Sequence, residues 1–358
     1  PTFTLIYYRC IMKRRLLFML LPMLSMAQTQ IGADIDGEAA NDESGRSVSL
    51  SGDGTTLAIG APQNDGSATN AGSVRVYKNV SGIWSQIGAD IDGEAAYDAN
   101  GVSVSLSGDG TILAVGATLN AANVPDSGSV RVYKYVSDTW IQIGADIDGE
   151  ARTNRSGYSV SLSRDGGSVA IGAPFNGGNG YSSGSVRVYK NISGTWIQVG
   201  NDIDGEAEDD ESGRSVSISA DGTVVAIGAP DNDGRGFFAG SVRVYKNVFG
   251  VWTQIGADID GEAESDESGT SISLSDDGSV LAIGSLFNDG SGLSAAGSVR
   301  VYKNVLGSWT QIGADIDGEE VGECFGVRVS LSSDGSILAV GAHQFYTGLT
   351  NAGLVRIY

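Results

Sequence analysis

Histidine and cysteine are almost absent from this sequence of 358 residues. His343 is the one histidine, and Cys10 and Cys324 are the two cysteines. A zinc site of the usual kind needs several such ligands, and a serine or cysteine nucleophile needs a histidine as its base. The sequence therefore predicts neither a zinc centre nor triad-type catalysis, and only carboxylate-based chemistry stays open.

Basic residues and proline are also scarce. There are 22 Lys and Arg against 43 Asp and Glu, which gives a net charge of −21, and there are 6 prolines against 53 glycines. A surface this acidic repels nucleic acid and anionic membranes and attracts cations, so we expect no nucleic-acid partner. Because 41% of the residues are hydrophobic and recur regularly, the composition indicates many short strands joined by tight turns.

The first 27 residues differ in composition from the rest. Met12 is followed by three basic residues (13–15), a short apolar run (16–21) and a small-x-small sequence (25–27). This order is typical of a secretory signal peptide, and the apolar run is too short to span a bilayer. We predict an upstream translated segment at 1–11, a signal peptide at 12–27 and one domain at 28–358. The protein would be secreted or held at the cell surface, with no membrane span.

An internal repeat covers that domain. The string Ile-Gly-Ala-Asp-Ile-Asp-Gly starts at Ile31 and returns every 56 residues, as a close variant at Val199 and with one interval of 57 before the last copy. In the first unit, alternating apolar residues predict strands at 47–50, 57–60, 73–78 and 84–88, with an Asp-Gly hairpin at 53–54. Units of four antiparallel strands repeated about an axis are typical of a propeller. The fold class is therefore all-β, a β-propeller of six four-stranded blades.

Two details of the strands carry further expectations. In the third strand the valines should face inward, with arginine and lysine outward, and one tryptophan per unit should pack between blades. The last unit ends after its third strand, and residues 29–33 match a fourth one. We therefore expect the N-terminal strand to close the ring, with a seventh blade as the alternative if the sequence is a fragment.

The repeat resembles the FG-GAP repeat of integrin-α-type propellers. The resemblance rests on residues 45–48, on the Asp-Gly turn, on Gly-Ala-Pro at 60–62, 172–174 and 228–230, and on residues 72–77. It implies an extracellular adhesion or recognition propeller, usually of seven blades. Calcium-binding members of that family have an acidic residue where this chain has Thr56 and its equivalents, so we expect no calcium at the hairpins.

A second acidic pattern includes the repeated Asp-Ile-Asp-Gly string. Three or four carboxylates within nine residues, folded back by glycine, form a candidate calcium clasp, although the spacing is not that of an EF-hand. The alternative is a turn that carries solvated charge. The candidate ligands are Asp34, Asp36, Asp42, Asp90, Asp92, Asp98, Asp202, Asp204, Asp210, Asp258, Asp260 and Asp266.

These acids recur in nearly every unit, which argues against catalysis. A glycosidase needs two carboxyl groups with separated pKa values across one cleft, and such a site should break the symmetry of the ring. The sequence therefore predicts that the protein is not an enzyme. An acid-based glycan-active enzyme stays as a weaker alternative.

The loops between the second and third strands do break the symmetry. Aromatic residues in variable loops on a rigid scaffold are typical of recognition sites, and aromatic faces suit sugar rings. The prediction is a monomeric binding or adhesion module for an extracellular protein or glycan, with calcium as its only candidate cofactor and a spacer propeller as the alternative. The candidate ligand-binding residues are Phe175, Tyr181, Phe237, Phe238, Phe287, Phe345 and Tyr346.

Overall fold

Six small antiparallel sheets make up the chain in a computed structural model, which describes residues 30–121, 124–343 and 353–358. Each sheet is one blade of a β-propeller, so the predicted fold class is confirmed. A single 3₁₀ turn, Gly290–Gly292, is the only helical element among these residues. No helix in the described part of the chain is long and apolar enough to cross a membrane.

The strand bounds follow the repeat. The first blade has β1 Ser47–Leu50, β2 Thr56–Ala61, β3 Ser73–Val80, β4 Ile83–Gln86 and β5 Ile91–Asp92. The second has β6 Asn100–Leu106, β7 Ile112–Ala117, β8 Ser129–Val136, β9 Thr139–Gln142 and β10 Ile147–Asp148. The third has β11 Ser159–Leu162, β12 Ser168–Ala173, β13 Ser185–Ile192, β14 Thr195–Gln198 and β15 Ile203–Asp204. The fourth has β16 Ser215–Ile218, β17 Val224–Ala229, β18 Ser241–Val248, β19 Val251–Gln254 and β20 Ile259–Asp260. The fifth has β21 Ser268–Leu274, β22 Val280–Ser285, β23 Ser298–Val305, β24 Ser308–Gln311 and β25 Ile316–Asp317. The sixth has β26 Phe325–Leu331, β27 Leu338–Ala342 and β28 Leu354–Ile357.

The Asp-Gly hairpin is held by its own aspartate. Asp53 accepts hydrogen bonds from the Ser51 hydroxyl at 2.7 Å and from the Thr55 main chain at 2.9 Å. These bonds lower the pKa of Asp53 to about 2, and Gly54 supplies the positive φ of 71° that the turn requires. The short strand β5 was not predicted. It pairs with β3 and consists of the Ile-Asp pair in the second copy of the repeated string.

The hydrophobic core lies between the blades. Ala58, Val74 and Val76 of the first blade pack against Val104 and Leu106 of the second, and the same arrangement recurs along the ring. Burying one valine or leucine side chain stabilises the fold by about 1.5–3 kcal/mol. Stability therefore comes from stacking neighbouring blades, as expected for a repeat too small to bury its own faces.

The recurring tryptophans pack between blades as predicted. The indole of Trp140 donates to the Ile87 carbonyl oxygen, at the end of the preceding blade's fourth strand, at 3.1 Å. The third-strand arginine differs from its prediction, because it is buried instead of outward-facing. Arg75 is 9% exposed and donates to the Asp36 carbonyl oxygen at 2.8 Å. A blade in a ring has both faces covered, so the side of the strand opposite the valines is also interior.

Ring closure by the N-terminal strand is not found in the described residues. Residues 30–33 carry no strand, residue 29 lies outside the described part, and β28 pairs there with β27 alone. The carbonyl of Ile31 instead accepts the Trp84 indole at 2.9 Å, as Ile87 does for Trp140. Residues 30–33 thus lie against the first blade, and no pairing between them and the sixth blade is present in the described part of the chain. The predicted signal peptide at 12–27 lies outside the described residues.

Candidate functional site

The candidate calcium ligands have different partners within each repeat. The last acid of the pattern is buried and caps its own loop: Asp98 accepts main-chain hydrogen bonds from Glu94 at 3.1 Å and Ala95 at 2.9 Å. The equivalent Asp210 and Asp266 accept the same pair of bonds. Asp42 accepts one from Ala39. These contacts are those of an Asx-type loop cap.

The first two acids of the pattern point elsewhere. Asp90 accepts a hydrogen bond from the Gln86 side chain, and the equivalent glutamine contacts Asp34, Asp202 and Asp258. Asp36, Asp204 and Asp260 present their main-chain carbonyls to the third-strand arginines. Asp92, Asp204 and Asp260 each end a short strand, β5, β15 and β20. No group of three or more His, Cys, Asp or Glu in the described part of the chain is placed to hold a metal ion. Calcium binding stays a prediction of the sequence.

Acids from neighbouring repeats meet in grooves between blades, which the sequence reasoning missed. Burial raises the pKa of Glu150, and the charge of Asp202 from the next repeat raises it further, against the effect of Arg187. The same pairing joins Glu206 to Asp258. The grouping was missed because the acids were compared within a repeat and not across the blade junction.

The predicted loop aromatics divide into two sets. Tyr181 and Phe237 are exposed, and the Phe237 and Phe238 rings are 3.9 Å apart. Phe175 and Phe287 are less exposed and directly follow the second strand of their blades. Phe345 and Tyr346 lie outside the described residues.

Phe175 belongs to the region where the blades differ most, which we call the mouth. It consists of three repeat-equivalent positions per blade. The first is a residue with positive φ in the loop before the first strand, the second lies three positions later, and the third lies two positions after the end of the second strand. The first set, in which every φ lies between 48° and 55°, is Glu43, Ala99, Arg155, Glu211, Glu267 and Cys324. The second set is Arg46, Val102, Tyr158, Arg214, Thr270 and Val327. The third set is Gln63, Leu119, Phe175, Asp231 and Phe287.

The third and fourth blades bring cations and aromatic rings together at the mouth. The Arg155 guanidinium lies 4.9 Å from the centre of the Phe175 ring, and Arg214 lies 4.9 Å from that of Tyr158. The two rings meet edge to face, 6.4 Å apart. Arg214 also pairs with Glu211. Such stacks fix both the plane of each guanidinium and the face of each ring.

The fourth and fifth blades place two carboxyl groups beside these stacks. Burial, and then the charge of Glu211, raises the pKa of Asp231 to about 6, although Arg214 opposes the shift. Burial, and then the charge of Asp231, raises the pKa of Glu267 to about 7, again against Arg214. Asp231 has no acidic counterpart at its position in the other described blades, whereas Glu43 and Glu211 occupy the position of Glu267 in theirs. The pairing of the two acids, and not each acid alone, is therefore what breaks the symmetry of the ring.

The first and sixth blades complete the mouth. Loss of water around its guanidinium lowers the pKa of Arg328, the neighbour of the mouth residue Val327, although the residue as a whole is exposed, and the like charges of Arg46 and Arg214 lower it further. Arg46 of the first blade and Arg214 of the fourth are thus both within electrostatic reach of Arg328 of the sixth. Cys324 is fully buried, and burial together with Glu267 raises the pKa of its thiol. Aligning the repeats position by position and looking for the columns that vary most would have found this set.

Comparisons with known proteins agree with the fold. A family model described as FG-GAP repeat matches residues 32–77. No curated protein matches the sequence significantly. Among solved structures, hydrazine synthase of Kuenenia stuttgartiensis is 15% identical, with a TM-score of 0.55 over 87% of this chain and 82% of that one.

Two further structures are similar to about the same degree. A putative 6-phosphogluconolactonase from Bacteroides uniformis is 13% identical, with a TM-score of 0.57 over 88% of each chain. The periplasmic gluconolactonase of Pseudomonas aeruginosa is 17% identical, with a TM-score of 0.53 over 90% of each. Likeness at these identities shows the fold alone. Together with the repeat match and the six blades, the motifs identify the chain as an FG-GAP repeat β-propeller protein.

Proposed function

We propose that this protein is a recognition module that binds a glycan at the mouth. One observation carries the proposal: six blades share a backbone, yet their mouth positions hold aromatic, cationic and acidic side chains that differ from blade to blade. A purely structural spacer has no need of such a convergence. Recognition sites are typically built from variable side chains on a rigid scaffold.

The chemistry of the mouth fits a sugar that carries a carboxylate. The faces of Tyr158 and Phe175 suit the apolar face of a sugar ring, and Asp231 and Glu267 suit hydroxyl groups. Arg155 and Arg214 suit a carboxylate, because a guanidinium can donate two parallel hydrogen bonds to it. Grouped arginines also attract an anion to a protein whose net charge is −21.

Calorimetric titration with polygalacturonate and with its methyl ester tests this. We expect binding to the acid and at least tenfold weaker binding to the ester, and we expect Arg155→Ala and Phe175→Ala each to weaken binding about tenfold or more. Tyr181→Ala is the matched control, because this aromatic residue is 75% exposed and does not occupy a mouth position. Equal loss in the control, or no binding of any glycan offered, would contradict the proposal.

Export stays part of the proposal, because the predicted signal peptide at 12–27 would deliver the module to an extracellular glycan. The predicted protein partner becomes the second class to screen if glycans fail. Calcium binding by the acidic loops is a separate prediction and is not needed for recognition at the mouth.

A second candidate function, hydrolysis of a sugar lactone, is favoured by the Asp231–Glu267 pair. The ionised Asp231 would accept a proton from water as the water oxygen bonds to the lactone carbonyl carbon. Arg214 would stabilise the oxyanion, and a protonated Glu267 would donate its proton to the ring oxygen as that carbon–oxygen bond breaks. Two of the structural neighbours are named as lactonases, and this hypothesis takes its substrate class from them.

Release of acid from glucono-lactone, corrected for spontaneous hydrolysis, tests the second candidate. The hypothesis expects a rate above background that Asp231→Asn and Glu267→Gln each lower at least a hundredfold. Glu264→Gln is the control, since Glu264 is exposed in the same loop as Glu267. A rate equal to background would exclude the lactonase and leave recognition as the function.

A further inference from the structure

Two hairpin turns hold large apolar side chains out in water. Phe249, in the turn between β18 and β19, is 103% exposed, and Leu306, in the turn between β23 and β24, is 102% exposed. Val248 and Val251 on either side of the first turn are exposed, and so is Val305 beside Leu306. These five residues, which we call the apolar tips, belong to the neighbouring fourth and fifth blades.

The backbone at the tips does not favour large side chains. Phe249 and Leu306 have φ of 53° and 54°, in the left-handed region that bulky residues rarely adopt. The first three blades have a serine at this position, Ser81, Ser137 and Ser193, in the same conformation. The fourth and fifth blades thus carry a large apolar residue where both the backbone and the contact with water disfavour it. An outlier of this kind points to a function.

The apolar tips lie on the face of the propeller opposite the mouth. β17 begins at Val224, next to the Asp-Gly turn of its blade, and ends two residues before Asp231 of the mouth. Because β18 runs antiparallel to β17, the chain is back at the Asp-Gly end when it reaches Phe249. There the Asn247 amide donates to the Thr223 carbonyl oxygen at 2.8 Å, which holds the two turns side by side. The fifth blade repeats this arrangement, so a surface that covers the tips leaves the mouth open.

Charge is distributed unevenly between the two faces. The turns on the face of the tips hold six basic and eight acidic residues, whereas the whole chain has 22 basic and 43 acidic ones. The excess of acid therefore lies elsewhere, largely in the loops of the opposite face. Lys246 and Lys303 are exposed and lie three residues before the tips Phe249 and Leu306. The turns counted here are residues 51–56, 78–83, 107–112, 134–139, 163–168, 190–195, 219–224, 246–251, 275–280, 303–308 and 332–337.

The shape of the tips decides what can cover them. A fully exposed side chain at the end of a hairpin has no walls around it, so it forms no groove for a peptide. A lipid surface closes around a projecting side chain and buries it at the boundary between headgroups and acyl chains. The two lysines can lay their aliphatic stems along that boundary and keep their ammonium groups among the headgroup phosphates.

The net charge decides which lipid surface fits. At −21 the protein is repelled by an anionic membrane, whereas the nearly balanced face of the tips can approach an uncharged one. We propose that the apolar tips attach this protein to the surface of a zwitterionic phospholipid membrane. The mouth is then directed away from the bilayer and stays accessible to a soluble ligand.

Sedimentation with phosphatidylcholine vesicles tests the proposal. The chain is used from residue 28, the form that export would leave, because the apolar run 16–21 would itself bind lipid and every described strand begins at or after Ser47. We expect binding at millimolar lipid. Phe249→Ser combined with Leu306→Ser, which gives both turns the residue of the first three blades, should weaken binding about tenfold or more.

The matched control is an exposed aromatic residue on the other face. Tyr97 is 59% exposed, has a φ of 69° and lies in an acidic loop on the side of the mouth. Tyr97→Ser should leave binding to the vesicles within about twofold, because the bilayer does not reach this loop. Replacing part of the phosphatidylcholine with anionic lipid should weaken binding of the native chain at low salt.

A moved tip separates attachment to lipid from a local effect of the substitutions. Ser193→Phe, added to the double variant, places an aromatic residue at the equivalent turn of the third blade and should recover binding about threefold or more. The thermal midpoint shows that each variant is folded. It should not fall in the double variant, because serine already occupies this position in three blades.

Two results would overturn the proposal. The first is equal binding of the native chain and the double variant, or no binding of either. The second is self-association of the native chain that the double variant abolishes while neither protein binds vesicles, because the tips would then contact a second copy of the chain.

Discussion

Replacing Glu267 with glutamine should stabilise the protein in a pH-dependent way. The folded-state pKa of Glu267 is raised from 4.5 to about 7, so between these values the folded protein binds more protons than the unfolded chain. The free energy of unfolding therefore falls as pH rises through this window, and above it the protein bears the full cost of ionising Glu267 in the folded state. A shift of this size corresponds to about 3 kcal/mol, which partial exposure reduces to roughly 1–2 kcal/mol.

The assay is thermal or urea unfolding of the native chain and the variant at pH 4.5 and pH 8. We expect no difference at the lower pH, where a protonated glutamate and a glutamine are similar, and a gain of roughly 1–2 kcal/mol, or about 2–4 °C, at the higher pH. Asp231 is the second cause of the shift. In an Asp231→Asn background the gain from Glu267→Gln should therefore shrink.

Two results would refute this reasoning. A gain of equal size at both pH values would mean that glutamine packs better and that the surroundings do not disfavour the ionised form of Glu267. The same pH-dependent gain in Glu264→Gln would attribute the effect to the large net negative charge of the protein, because Glu264 is an exposed acid in the same loop.

Three further predictions concern packing, the thiol and calcium. In urea unfolding, Leu106→Ala should destabilise the fold by about 2–4 kcal/mol and Leu50→Ala by less than about 1 kcal/mol, because only Leu106 is buried. Equal losses would mean that Leu50 is also buried in solution. Cys324 should react with a thiol reagent only after unfolding, since it is fully buried and its pKa is raised; rapid labelling of the native protein would contradict this. If the acidic loops bind calcium, the thermal midpoint should rise with calcium concentration above its value in EDTA at equal ionic strength; an unchanged midpoint would contradict the clasp hypothesis and leave carboxylates such as Asp98 as loop caps.

The blade itself was predictable because each element has a local signal. The Asp53-Gly54 turn, the alternating residues of β1 and the repeat spacing predict four strands, and the structure confirms them. The extra strand β5 has no such signal: two residues pair with β3 only because the following loop returns across the blade edge. The burial of Arg75 was missed for a related reason, since a strand read alone cannot show that a neighbouring blade or loop covers its second face.

Ring closure could not be predicted from complementary strands at the two ends of the sequence. Whether residues 30–33 meet β28 depends on how five successive junctions place the sixth blade relative to the first, and among the described residues β28 pairs with β27 alone. Nothing in the local pattern of Val48 or Val355 encodes that placement. Their sequences match those of buried counterparts, and only their exposure in the assembled ring distinguishes them.

The mouth was missed because its residues are far apart in the sequence and ordinary one at a time. Asp231 and Glu267 belong to different repeats, and each occupies a position that holds other chemistry elsewhere, such as Phe175 in place of Asp231. Symmetry of the acids was taken as evidence against a site, but the same symmetry makes any departure from it informative. The strands recur with nearly the same bounds in most blades, whereas the mouth positions hold different side chains from copy to copy. The differences between blades are therefore concentrated in one region, where a single ligand can contact several of them.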